Sequence, residues 1–183
     1  PSWTASNIAT SANGARSVFA TDIDNDGDMD IISASRNDNA IAWYENDGTA
    51  DPSWTAADIA TSADGATSVF AADMDNDGDM DILSASIDDD TIAWYENDGS
   101  EGFTKIDITT SATGAYSVYA GDVYAAGDVD VDSASRDDNS SAWYENDGSE
   151  GFTKIDITIA AIGSYSVYAS YFYSEGEADE PHA

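Results

Sequence analysis

The hexapeptide Trp-Tyr-Glu-Asn-Asp-Gly occurs at 43–48, 94–99 and 143–148, so the chain repeats itself at offsets of 51 and 49 residues. The same offsets relate Ser-Val-Phe-Ala at 17–20 and 68–71 to Ser-Val-Tyr-Ala at 117–120, and a further 49 residues reach Ser-Val-Tyr-Ala at 166–169. A period of this length marks a repeat architecture, in which each unit buries its apolar face mainly against its neighbours. The 183 residues therefore read as a single repeat domain, 1–183, with units of approximately 1–51, 52–102, 103–151 and 152–183, the last incomplete.

Each unit consists of short β-branched and aromatic segments separated by Gly, Asp and Asn, with no 3.6-residue apolar stripe long enough for a helix. In the first unit the pattern predicts a strand over Trp3 to Thr10, a turn through Gly14 and a second strand over Ser17 to Thr21. An acidic loop leads to a third strand, Asp30 to Ser35, and a polar turn at Arg36 to Asn39 to a fourth, Ala40 to Glu45, which ends in a hairpin-type turn at Asp47-Gly48. Four antiparallel strands in about 50 residues is the size of one propeller blade, and radial repetition protects the edges of such sheets. The fold class expected is all-β, a β-propeller of four-stranded antiparallel blades with about 3.5 blades in this chain.

The phase of the repeat bears on closure. Trp3 to Thr10 is suited to complete a blade whose inner strands come from elsewhere, whereas the fourth unit supplies a strand at Ser166 to Ser170 and then an acidic tail with no counterpart of Trp43. Three arrangements stay open: an irregular four-bladed ring, a homodimer completing a larger ring, and a segment of a longer propeller. The last two are favoured, because a blade lacking two strands leaves a wide unpaired edge. With Pro1 first and no signal-peptide pattern, the chain reads as a processed product or an excised piece.

Charge supplies the chemistry. Against 5 Lys plus Arg stand 37 Asp plus Glu, a formal net charge of -32, which repels nucleic acid and attracts cations. Much of the acid lies in two nine-residue loops of the form DxDxDGxxD, Asp22 to Asp30 and Asp73 to Asp81. Calcium needs six to eight oxygen ligands, and carboxylates at positions 1, 3 and 5 with Gly at 6 let the backbone curl around one ion; position 7 offers its carbonyl and position 9 a last carboxylate. An EF-hand is excluded, because position 12 is Ser33 or Ser84 and the flanks alternate as strands. Like charges 4 Å apart repel by about 4 kcal/mol at an effective dielectric near 20, so a metal-free loop is strained, and magnesium's stricter octahedron suits it less well.

These loops, preceded by Ser-Val-Phe-Ala strands, resemble the FG-GAP or VCBS repeats of calcium-binding β-propellers, including those of integrin α subunits. The resemblance implies a propeller of such blades, calcium held between the inner strands of a blade, and roles in adhesion or ligand binding. By matching position it implies Asp22, Asp24, Asp26, Asp28 and Asp30 as one ligand set and Asp73, Asp75, Asp77, Asp79 and Asp81 as another. Two Ca2+ sites are expected. Unit three reads Asp122-Val123-Tyr124-Ala125-Ala126-Gly127-Asp128-Val129-Asp130 and loses the carboxylates at positions 3 and 5; unit four places Tyr171, Tyr173, Glu175 and Asp179 at the corresponding positions. Unit three also carries Asp132 and Ser141 where earlier units have Ile32, Leu83, Ile41 and Ile92, so this half is expected to be less stable.

Other chemistries find little support. There is no cysteine for a disulfide or zinc-thiolate site, and no apolar run of membrane-spanning length. The lone His182 lies in a polar tail, no Gly-x-Ser-x-Gly elbow exists, and the pair Glu45 and Asp47 recurs at a turn in every unit, as a structural element does. Asn139-Ser140-Ser141 matches a glycosylation acceptor. Repeated Trp-Tyr pairs read as blade-to-blade core rather than as a platform for sugar rings. The expectation is a non-catalytic, extracellular calcium-binding module for adhesion or binding of a protein or glycan ligand, with no nucleic acid and no membrane insertion. The alternatives are a purely structural spacer of a larger secreted protein and a carbohydrate-binding propeller.

Overall fold

The computed structural model describes residues 6–123 and 126–168, and within them every regular element is a strand. Three four-stranded antiparallel sheets follow one another. The first contains β1 (Ala15–Thr21), β2 (Asp30–Ser35), β3 (Ala40–Asn46) and β4 (Trp54–Ala60). The second contains β5 (Ala66–Ala72), β6 (Asp81–Ser86), β7 (Thr91–Asn97) and β8 (Phe103–Thr109), and the third β9 (Ala115–Gly121), β10 (Asp130–Ser135), β11 (Ser140–Asn146) and β12 (Phe152–Thr158). In each sheet the strands lie in chain order, as in a meandering propeller blade. Among the described residues the sheets form a partial propeller that does not close.

Packing explains the composition of each strand. The second strand of every blade is almost wholly buried, and there Ser33, Ser84 and Ser133 sit beside Ala34, Ala85 and Ala134 instead of long polar side chains. The Ser33 and Ser133 hydroxyls bond to the hydroxyls of Tyr44 and Tyr144 at 3.5 and 3.4 Å. The fourth strands are outermost and largely exposed, with Lys105 and Lys154 paired to Asp107 and Asp156.

The core lies between blades. Trp43, Ile32 and Ile41 on the rear of the first blade pack against Val69, Ala71, Ile82 and Tyr95 on the front of the second. Trp94, Leu83 and Ile92 pack in the same way against Val118, Ala120, Val131 and Tyr144 of the third. With 3 % and 1 % of their surface exposed, Trp43 and Trp94 are core residues. An aromatic column runs across the inner strands, from Phe19 to Phe70 at 4.7 Å, to Tyr119 at 4.8 Å and to Tyr168 at 5.0 Å between ring centroids.

Two expected strands fall partly outside the described residues. Residues 6–10 carry no ladder, while Trp3 to Ala5 of that segment lie outside the described residues. The corresponding segments β4, β8 and β12 each pair with the third strand of the preceding blade. Each blade thus takes its last strand from the following repeat unit. Residues 166–168 of the expected strand at Ser166 to Ser170 also form no ladder, and 169–170 lie outside the described residues. These residues nevertheless occupy an inner-strand position, because the Val167 N–H donates to Ser117 Oγ at 3.3 Å just as the Val118 N–H does to Ser68 Oγ. Of the substituted positions of unit three, Ser141 meets this segment, sharing a 3.1 Å hydrogen bond with Ser164, and Asp132 is buried at 3 % exposure.

Candidate metal centre

Each acidic loop joins the first two strands of a blade and is curled by its backbone. Asn25 and Gly27 adopt φ of 60° and 96°, and Asn76 and Gly78 repeat this at 62° and 100°, so two left-handed residues turn the chain in the space of three. Asp22 Oδ2 accepts the Gly27 N–H at 3.0 Å, and Asp73 Oδ2 accepts the Gly78 N–H at 3.1 Å, which ties position 1 across the loop to position 6. The last carboxylate is anchored more deeply. Asp30 accepts the Ile23 and Asn46 N–H groups at 3.1 and 2.8 Å, and Asp81 accepts those of Met74 and Asn97 at 2.9 and 2.8 Å.

The result is two clusters of carboxylate oxygens. In Asp22, Asp24 and Asp30, and again in Asp73, Asp75 and Asp81, one oxygen from each residue lies within 4.8 Å of the others. Either cluster could hold a metal ion, and an all-oxygen, carboxylate-rich donor set is compatible with Ca2+. Asp22 Oδ1 is buried with no hydrogen-bond partner, an oxygen whose lone pairs a cation would satisfy. Desolvation by burial raises the Asp24 carboxyl above its ordinary value; the Asp26 N–H opposes this, and Asp26, Asp30 and Asp22 reinforce it by like charge. Asp75 is raised for the same leading reason. Burial pushes Asp81 up to about 7 even though the Asn97 and Met74 N–H groups pull it down. Crowded, partly buried carboxylates of this kind resist ionisation until a cation arrives.

A model of the FG-GAP-like repeat matches residues 22–84 and 76–131, together more than half of the chain. The chain belongs to the FG-GAP-like repeat family. No curated protein matches it.

Within this FG-GAP-like chain the remaining implied ligands have other partners. Asp26 Oδ1 accepts the Asp28 N–H and Asp77 Oδ1 the Asp79 N–H, so position 5 shapes the loop and lies outside the three-carboxylate groups. Asp28 packs against Gly48, where any side chain would collide with it, and Asp79 Oδ1 accepts a 2.8 Å bond from Asn25 Nδ2 of the preceding blade. The third loop keeps the scaffold without the cage. Asp122 accepts the Gly127 N–H, Gly127 has φ of 99° and Asp130 accepts from Val123 and Asn146, while Tyr124 and Ala125 lie outside the described residues. The second match runs through this loop to residue 131, so family membership follows the scaffold even where carboxylates are lost.

Sequence reasoning passed over the residues that join these loops to the next blade. Asn97 Nδ2 donates to the Ile23 and Met80 carbonyls, both at 3.1 Å, and Asn146 Nδ2 donates to Met74 and Val129 at 3.1 and 3.0 Å. At the opposite end of each blade, Asn39, Asp90 and Asn139 adopt φ of 56°, 57° and 57°, and their Oδ1 atoms accept the N–H groups of Gly65, Gly114 and Gly163. Their signal was recurrence: each recurs once per repeat in a place where a turn alone would tolerate many residues.

Proposed function

We propose that this protein is a non-catalytic, calcium-stabilised propeller module that acts outside the cell in adhesion or ligand binding. One observation carries the proposal: two three-carboxylate clusters, each made of Asp at positions 1, 3 and 9, sit in loops hydrogen-bonded to the neighbouring blade. Calcium there would neutralise mutually repelling carboxylates and lock the loop that the next blade grips. Extracellular calcium is abundant enough to fill loops of modest affinity, and the ligand would then be a protein or glycan met by the assembled blades. Asp22, Asp24 and Asp30 would hold one ion and Asp73, Asp75 and Asp81 the other, with Asp26 and Asp77 available to the same loops.

The link between loop and neighbouring blade also favours a second reading, a spacer in which calcium rigidifies the array and nothing binds its surface. Calorimetric titration of chelator-stripped protein with calcium chloride, paired with melting curves, tests the metal claim: two ions bound per chain and a higher melting temperature are expected. Absence of binding heat with an unchanged melting temperature would refute it. A glycan and extracellular-protein array probed in calcium separates binding module from spacer.

A further inference from the structure

The front faces of the second and third blades are built from one set of positions, and the first blade presents the same set uncovered. Val69 and Val118 are each 4 % exposed, whereas Val18 is 66 % exposed. Ala66 and Ala115 are fully buried, but Ala15 is exposed; Met80 and Val129 pack against the inter-blade clusters, but Met29 is 54 % exposed. Hydrogen bonding follows the same division. Among the described residues, Asn46 Nδ2 makes only the bond to Met29, lacking the cross-blade carbonyl that Asn97 and Asn146 reach, and Gly14 lacks the acceptor that Asn39 gives Gly65. At the other end of the array Tyr168 is the last ring of the aromatic column among the described residues, 76 % exposed and tilted against Tyr119 at 5.0 Å between centroids.

We propose that the front of the first blade docks the 164–168 segment of a second copy of this chain, head to tail. The occupant follows from continuity with two interfaces the chain already makes. Phe19 meets Tyr168 of the copy as Phe70 meets Phe19, and Val18 is covered as Val69 and Val118 are. A heterologous contact of this sort either closes or grows into filaments. Two copies contribute eight inner-strand positions, within the typical range of four to eight blades for a closed propeller. The -32 charge of each copy opposes association at low salt and is screened at physiological salt.

Sedimentation of the full chain in millimolar calcium chloride and 0.15 M salt tests this. The expected species is twice the 19.2 kDa chain mass. Val18→Glu and Met29→Glu alter exposed side chains, so they should sediment as single chains and match the wild-type melting temperature at dilutions where wild type is itself monomeric. Tyr168→Glu should also be monomeric, and an equimolar mixture of the Val18→Glu and Tyr168→Glu proteins should regain the dimer mass through the one intact head and one intact tail. A wild-type chain that stays monomeric throughout the micromolar range overturns the proposal. So does a Val18→Glu protein that still dimerises, or a mixture that remains monomeric.

Discussion

Asn97 Nδ2 donates a 3.1 Å hydrogen bond to the Ile23 carbonyl, 74 residues earlier, and so ties the hairpin of one blade to the acidic loop of the blade before it. The same side chain donates to Met80, its Oδ1 accepts the Gly99 N–H, and its backbone N–H caps Asp81. One residue thus couples an acidic loop, a turn and a blade interface. Asn46 makes the equivalent bonds within its blade, to Met29, Gly48 and Asp30, but among the described residues lacks the cross-blade one.

Comparing these two positions isolates the cross-blade bond. Asn97→Ala should destabilise the protein by about 2–4 kcal/mol, since it strands buried carbonyls as well as losing bonds, and Asn46→Ala should cost about 1 kcal/mol less. Urea unfolding at concentrations where the chain is monomeric checks this. Equal losses at both positions would show that the bond to Ile23 contributes nothing.

The carboxylate clusters give a prediction with opposite signs. Asp24→Asn removes the charge of a carboxyl that burial, and to a smaller extent the charges of Asp26, Asp30 and Asp22, hold above its ordinary pKa, so the calcium-free protein should gain on the order of 1 kcal/mol after solvent screening. The same change should abolish one of the two calcium sites and roughly halve the calcium-induced rise in melting temperature. Melting curves with chelator and with calcium read both signs. A variant less stable than wild type without metal would mean that Asp24 acts through loop geometry alone.

The repeat made much of this legible. Ser17 to Thr21, Asp30 to Ser35 and Ala40 to Glu45 fall within two residues of β1, β2 and β3, because alternation and turn chemistry are stated again in each unit. The acidic loops were readable because ligand spacing is local. Three features were not. Residues 6–10 have strand character in the sequence yet carry no ladder, because a strand forms only against a partner. The spacing that marks Asp28 and Asp79 says nothing of Gly48 and Asn25, which the neighbouring turn and blade bring to their side chains. The role of Asn97 depends on a carbonyl on another blade, and no local pattern encodes that distance.

Asn39 offers a test of the second latch. It combines a left-handed backbone with an Oδ1 that accepts the Gly65 N–H at 3.0 Å, and Asp90 does both for Gly114 at 2.8 Å. Asn39→Asp should therefore be close to neutral. Asn39→Gly keeps the backbone freedom and loses the acceptor, for about 1 kcal/mol, and Asn39→Ala loses both, for about 2 kcal/mol. Chemical denaturation of the three variants orders them, and a glycine variant as stable as the aspartate one would remove the side-chain bond from the account.

Asp132 sets the pH dependence of the third blade. It lies opposite Tyr119 and Trp143, where the first blade places Ile32 opposite Phe19 and Trp43, and the second Leu83 opposite Phe70 and Trp94. Burial, with a smaller contribution from the charge on Asp130, raises its carboxyl from 3.8 to about 6. The folded pKa exceeds the unfolded one, so the unfolded chain releases this proton first as pH rises. The stability held below pH 3.8 is then lost progressively up to pH 6 and is absent above it. A shift of about two units corresponds to on the order of 3 kcal/mol. Asp132→Leu, which restores the residue type of the second blade, should therefore stabilise the protein by about that amount near pH 7.5 and by much less near pH 4. Melting temperatures of the two proteins across this range, with calcium chelated throughout, decide it: a gain that does not change with pH would assign the effect of leucine to packing and not to the buried charge.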